Sequence, residues 1–339
     1  MRLTKELNQR GDGGMEPELP RPVGFLLAVL VPAALGLLGV AWAVSCLNSY
    51  GWAVFMVLPL VVSALSAFFA RRFLTKSYAA CYGLSVLSIL VLAGFILALA
   101  IDGTVCLVMA SPLALLIAVP GSMIGRALGG LSDRSRRVAP WLLLLIFPAF
   151  QGFEYAHPVE STIRQVTSRV TIDAPIEMIW EQVIAFDRIT KPPEGIFRTG
   201  IAYPIQARIF GRGVGAIRYC IFSTGPFIEP ITTWKPPNLL EFDVTENPPP
   251  MTELSPYKHL DAPHLHGTFV SKHGRFRLWE ENGKVVLEGT TWYYQRILPD
   301  WYWHVISDAI IHKIHLRVLE QIQHQSEVEA HDAKESEGA

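Results

Sequence analysis

The stretch "SRVTIDAPIEMIWEQVIAFDRI" (Ser168–Ile189) opens the half of the chain that decides the fold. Its first residues alternate as a half-buried strand does. Asp173 then stands where an N-cap is expected, and Pro175 sits in the first helical turn, where its missing N–H costs nothing. Ile176, Ile179, Trp180 and Val183 follow at the spacing of one helix face. Six strand-like runs come next: "PIQARIF", "VGAIRYCIF", "FIEPITTW", "LLEFDVT", "GRFRLWEE" and "KVVLEGTTWYY". Between the last two, Asn282-Gly283 predicts a type I′ hairpin that sets Arg277 opposite Glu288 and Trp279 opposite Val286. A long helix, about Asp300–Gln325, closes the segment. Strand, helix, a run of antiparallel strands and a long helix predict an α+β domain whose curved sheet grips one helix.

Those features, "VTIDAPIEMIWEQV", the strand run and the closing helix, resemble the START-like or SRPBCC superfamily with its helix-grip fold. That group includes polyketide cyclases and lipid-transfer domains. The resemblance covers roughly Gln165–Gln325 and implies a cavity between sheet and helix suited to a hydrophobic ligand. The superfamily shares a cavity rather than a catalytic motif, so no catalytic residue is carried over. Glycines 211, 213 and 215 in "FGRGVGAIRY" lack the GxGxxG order and a following helix, so they read as a tight hairpin, not a nucleotide loop.

The rest of the 339-residue chain is of another kind. Hydrophobic residues make up 50% and charged residues 17%, too apolar for an ordinary soluble protein, and the excess lies before residue 154. Four segments are long enough to span a bilayer: Val23–Cys46, Trp52–Ala70, Ala79–Ile101 and Thr104–Ile124. A removable signal peptide fits poorly, because a polar tail precedes the first span and further spans follow. A fifth, Val138–Phe153, is short and holds Pro140 and Pro148; basic residues before it and none just after it favour crossing. Arg2, Lys5, Arg10 and Arg21, then Arg71, Arg72 and Lys76, then Arg126, Arg134, Arg136 and Arg137 occupy one set of loops. The intervening loops "LNSYG" and "DG" carry no basic residue, so the N-terminus reads as cytoplasmic and the C-terminal domain as extracytoplasmic, in a multi-pass cell (inner) membrane protein. The first four spans contain no ionisable Asp, Glu, Lys, Arg or His, which argues against an ion-coupled pump and for an anchor.

The organisation expected is a tail (1–22), a membrane domain (23–153), a linker (154–165), the START-like domain (166–326) and a disordered tail (327–339). A net charge of −1 gives no reason to expect nucleic acid. The four cysteines show no metal-finger spacing or disulfide framework, and no cofactor or metal is assigned.

Candidate site residues gather in "WYWHVISDAIIHKIH" (Trp301–His315). Ile311, Ile314, Val318 and Ile322 form an apolar stripe, and His304, Asp308, His312 and His315 fall on or beside it. Three readings stand open: a buried hydrogen-bond network, recognition of a ligand's polar end or acid–base chemistry on it, and a metal site. His304 and His312 lie about 12 Å apart along the axis, too far to share an ion unaided. Trp303, Ile306 and Ile310 make a second stripe for the bilayer, the anchor or a covering loop. The loop "NPPPMTELSPYKHLDAPHLHGTF" (Asn247–Phe269) is stiffened by proline and carries Glu253, His259, Asp261, His264 and His266. It is either a structured rim or a lid whose histidines join those of the helix. Arg277–Glu288 is expected as a surface cross-strand pair, with Trp292 on the cavity floor if the faces are reversed.

The functional expectation is a membrane-anchored domain binding a lipid, isoprenoid or polyketide, with His304, Asp308, His312, His315, His264, His266, Ile311 and Trp292 as candidate ligand contacts. The alternatives are a cyclase- or dehydratase-type enzyme using the same His and Asp groups, and an interaction module that docks through Trp303.

Overall fold

A computed structural model describes residues 20–337 apart from 258, 259 and 261, and two side chains within that range, those of 133 and 337, are also left undescribed. The expected N-terminal tail and His259 and Asp261 of the loop thus lie almost wholly outside the described residues. The described chain forms two compact units. One comprises residues 20–41, 56–95 and 111–152, and the other comprises 42–55, 96–110 and everything from 153 onward.

The first unit is helical. Helices α1 (Arg21–Leu47), α2 (Leu58–Phe73, preceded by a π-turn at Ala53–Val57), α3 (Tyr78–Ala98), α4 (Thr104–Gly129) and α5 (Asp133–Ala156) run through it or start from it. Among the described residues, five helical stretches are long and apolar enough to cross a membrane. The fifth is longer than its apolar core suggests: helix continues back through Arg134 and on to Ala156, and Pro140 and Pro148 are accommodated inside it. Small residues let these helices approach closely. A Cβ at Gly125 of α4 would lie 1.9 Å from the Ala64 carbonyl of α2, so only glycine fits there. Buried serines knit the same helices: Ser85 Oγ donates to the Ser63 carbonyl at 2.9 Å and Ser88 Oγ to the Val29 carbonyl at 2.9 Å.

The second unit is built on a seven-stranded antiparallel sheet of order β1-β7-β6-β5-β4-β3-β2. The strands are β1 (Arg164–Ile172), β2 (Pro204–Phe210), β3 (Ile217–Phe222), β4 (Gly225–Lys235), β5 (Leu239–Asp243), β6 (Phe269–Glu281) and β7 (Lys284–Gln295). The short α6 (Ile176–Ile184) follows β1, and α7 (Asp300–Glu337) lies along the sheet. The expected curled sheet and long closing helix are therefore present. Asn282 and Gly283 take positive φ values of 53° and 75°, which the I′ turn requires, and set the predicted pairs Arg277↔Glu288 and Trp279↔Val286. Glycines 211, 213 and 215, all at positive φ, close the β2–β3 hairpin.

Two local expectations are corrected. Pro175, not Asp173, caps α6; Asp173 instead lies 3.5 Å from Lys284. Helix α7 does not stop near Gln325 but continues to Glu337, the last described residue of the segment read as a disordered tail. Its extension packs on α6 and β1: Ser326 and Ala330 are buried, Gln182 donates to Glu329 at 2.8 Å, and the Asp173 N–H donates to Glu327 at 3.1 Å. Ala, Glu and Lys are strong helix formers, so little extra contact is needed to continue the helix.

The core lies between sheet and helices. Ile179, Trp180 and Val183 of α6 and Val318, Leu319 and Ile322 of α7 bury against Ile172, Ile231, Leu240, Leu278 and Leu287. Gly274 of β6 has no side chain because the Phe242 ring takes that space; a Cβ there would lie 2.3 Å from it.

Candidate functional site

A cavity of about 120 Å³ opens between the concave side of the sheet and α7. Phe222, Phe227, Phe242, Phe269 and Phe276 wall it, with Ile311, Ile314, Val318 and Leu319 of α7. Its polar lining includes Arg218, Glu229, Ser271, Thr290, Thr291 and His315. That volume takes a ring or a short branched chain, not a whole acyl tail.

Arg218 and Glu229 are the buried charged pair among the lining residues, which also include Arg275. They are register partners on β3 and β4 and form a hydrogen-bonded ion pair. Arg218 is 1% exposed and Glu229 6%. Arg218 Nε donates to the Ile184 carbonyl at 3.1 Å, and the guanidinium sits within 6 Å of the rings of Phe186, Phe242 and Phe276 at 5.9, 5.5 and 5.6 Å. Burial works against the Arg218 charge, but Glu229 outweighs it and holds the guanidinium pKa above its ordinary value. One nitrogen, Nη2, is buried without a hydrogen-bond partner. A buried cation with a free N–H on a cavity wall can receive an anionic or carbonyl oxygen.

The helix candidates divide. Ile311 and His315 line the cavity. His315 is held by two hydroxyls: Nδ1 lies 3.1 Å from Ser168 Oγ and Nε2 lies 2.7 Å from Thr291 Oγ1. Burial, with the neighbouring His312 adding to it, lowers its pKa to about 4, so the ring is neutral at pH 7. His304, Asp308 and His312 do not line the cavity; they form a hydrogen-bonded ladder against β1 and β7. Tyr293 Oη donates to Asp308 Oδ1 at 2.5 Å and lies 3.4 Å from His304 Nδ1. Arg164 donates to the second Asp308 oxygen at 2.9 Å. His312 Nδ1 lies 2.7 Å from Ser168 Oγ. Burial raises the Tyr293 pKa, with Asp308 adding to it, and burial lowers that of His304. These contacts make a hydrogen-bonded network with β1 and β7, in which His304 is buried, Asp308 half-buried and His312 exposed.

Trp292 is half-buried and is not among the residues lining the cavity; Arg275 lies 5.1 Å over its ring and the His273 ring is tilted against it at 5.1 Å. Glu288 is buried and pairs with Arg169 at 2.7 Å and Arg275 at 3.5 Å; the expected surface pair with Arg277 does not form. Trp303 is buried edge-on against Phe55 at 4.9 Å, and Ile310 packs with Phe197, Ile201 and Met251, so these two positions of the stripe are covered.

The described residues of the proline-rich loop are tied to the sheet domain. Met251 bridges to Ile201, and Thr224 Oγ1 donates to the Pro249 carbonyl at 2.8 Å. His266 is exposed. His264 is buried, and it joins not the helix histidines but Asp102, Cys106 and Glu253. Cys106 Sγ lies 2.8 Å from Glu253 Oε1 and 3.1 Å from His264 Nε2. His264 Nε2 lies 3.4 Å from Glu253 Oε1, and Nδ1 lies 3.9 Å from Asp102 Oδ2. Burial alone would lower the His264 pKa, but Glu253 and Asp102 outweigh it and raise it; burial raises that of Asp102.

Sequence reasoning missed the Arg218–Glu229 pair, and it singled out Glu253 and His264 without Asp102 and Cys106. Arg218 shares the inward face of β3 with Ala216, Cys220 and Phe222, all buried, so a charge in an apolar period-2 face was the available signal. No local pattern links Asp102 to His264.

No family model matches the chain, and no curated protein matches it. Solved structures do. Norcoclaurine synthase from Thalictrum flavum aligns at 12% identity and a TM-score of 0.32, over 50% of this chain and 96% of that one. XoxI from Bacillus cereus aligns at 11% and 0.31, over 48% and 94%. Protein CV1439 from Chromobacterium violaceum aligns at 9% and 0.29, over 48% and 96%. At these values the likeness carries no argument about ligand or activity. The fold rests on the strand order and the gripped helix.

Proposed function

We propose that the C-terminal domain binds a small, largely apolar ligand between the sheet and α7, at the surface of the membrane that anchors it. The supporting observation is the phenylalanine-walled cavity with Arg218 among its lining residues, whose Nη2 is buried without a hydrogen-bond partner. The ligand class is a hydrophobic small molecule, or a lipid whose ring or short branched end enters the cavity, with one anionic or carbonyl oxygen for Arg218. A long acyl chain would require the walls to part. Native mass spectrometry of the full chain, released from detergent, tests this: an added small-molecule mass is expected, and its loss in Arg218→Met ties it to the cavity.

A cyclase- or dehydratase-type reaction has weaker support. His304, Asp308 and His312 are engaged in the ladder outside the cavity, and both nitrogens of His315 are held by hydroxyls. Docking through an exposed Trp303 also loses support, since that ring is covered.

The same reading sets the N-terminus and the basic loops on the cytoplasmic face of a cell membrane, with five crossings and the ligand-binding domain outside. Its support is the odd number of apolar helices, together with the segments 42–55 and 96–110 forming one compact unit with the domain and carrying no Lys or Arg. Intact cells carrying Ser255→Cys in a chain freed of its native cysteines should react with a membrane-impermeant maleimide, and cells carrying Ser77→Cys should not. The reverse pattern would contradict this topology.

A further inference from the structure

Four side chains converge at the rim of the second unit with the chemistry of a metal site. Asp102 precedes α4, Cys106 is in its first turn, Glu253 and His264 come from the proline-rich loop, and their nearest donor atoms all lie within 4.8 Å of one another. For a tetrahedral ion bound at the usual zinc–nitrogen, –oxygen and –sulfur lengths, neighbouring donor atoms stand about 3.3–3.8 Å apart. The separation of Glu253 Oε1 from His264 Nε2, 3.4 Å, falls in that range, while Cys106 Sγ stands closer to the same two atoms, at 2.8 and 3.1 Å, and would draw back by a few tenths of an ångström around an ion.

Hydrogen bonding within the protein does not satisfy this group. Glu253 Oε2 and His264 Nδ1 are buried with no hydrogen-bond partner, and the Glu253 side chain is 0% exposed. Two carboxyls and a thiol stand around one imidazole, and among the described residues no Lys or Arg pairs with them. Burying such acceptors without a cation is costly, and a divalent ion would offset it. The backbone leaves room for the arrangement: a Cβ on Gly103 would lie 1.8 Å from Glu253 Oε2. Thr104 N–H donates to the Leu254 carbonyl at 2.9 Å, bringing the two segments into register beside the cluster.

We propose that Asp102, Cys106, Glu253 and His264 form a site for one divalent transition-metal ion. A thiolate, an imidazole and two carboxylates suit zinc best. With four protein ligands the site is closed and structural, pinning the α3–α4 loop to the rim of the ligand-binding domain. It is independent of what the cavity binds.

The full chain, purified in detergent without chelator and dialysed against zinc, should carry one zinc per chain by elemental analysis. Chelation should lower its melting temperature. Cobalt should replace zinc and give a thiolate-to-cobalt charge-transfer band. Cys106→Ser should remove that band, and Gly103→Ala should displace the ion by crowding Glu253 without changing a ligand. Cys46→Ser, an exposed cysteine elsewhere, should keep both metal and band. Zinc no higher than the buffer blank in the wild-type chain would overturn the proposal. So would stoichiometric zinc that persists in both Cys106→Ser and His264→Gln.

Discussion

Arg218 on β3 and Glu229 on β4 face each other in register as a buried ion pair among the residues that line a phenylalanine-walled cavity. Two buried opposite charges stabilise only while both are present. Glu229→Ala should therefore cost about 3–5 kcal/mol, because it strands the Arg218 charge. The double variant Arg218→Met/Glu229→Leu should recover most of that loss. Thermal unfolding of the full chain by circular dichroism separates the two; equal destabilisation of single and double variants would contradict the pairing.

The ladder on α7 should behave as structure, not as a ligand contact. Asp308 accepts from Tyr293 and Arg164, both across from it on the sheet. Tyr293→Phe should cost about 1 kcal/mol by loss of one buried hydrogen bond. It should leave the bound small-molecule mass unchanged. Loss of that mass with stability intact would move the ligand site to the ladder.

His315 should make the fold sensitive to mild acid. Its folded pKa is lowered to about 4 from 6.5 by burial, with His312 adding to the effect. Between those values the unfolded chain binds the extra proton and the folded chain does not. Stability should therefore be complete above pH 6.5 and fall as the pH drops toward 4, by up to about 3 kcal/mol from this group. His315→Gln should flatten that slope in unfolding midpoints recorded from pH 7 to 4.5. An unchanged slope would show that other groups set it.

The cavity wall offers a filling test. Ile311 is 4% exposed and lines the cavity from α7. Ile311→Phe should occupy that space at a cost of about 1–3 kcal/mol from overpacking. Ligand should be excluded while the domain stays folded.

The fold was largely legible in the sequence because it depends on local signals. Asn282-Gly283 fixed one hairpin and its register, and the runs of strand residues and of apolar residues marked the elements. The site was legible only in part. On α7, successive residues turn by about 100°, so Asp308 and His312 lie roughly 60–100° round from Ile311. That offset is enough to aim them at β1 and β7 while Ile311 and His315 face the cavity. Knowing which sector met which strand required the sheet's placement. Arg218 was visible as a charge in the inward period of β3, but its partner sits on the next strand. Asp102 and His264 are distant in the chain, and only the folded rim brings them together.

The central claim is that the cavity between the sheet and α7 holds a ligand. Native mass spectrometry of the wild-type full chain beside Ile311→Phe tests it most directly. The account predicts an added small-molecule mass on the wild type that is absent from the folded Ile311→Phe chain. A bare polypeptide mass for the wild type after growth and extraction under mild conditions, or the same added mass on both chains, would contradict it.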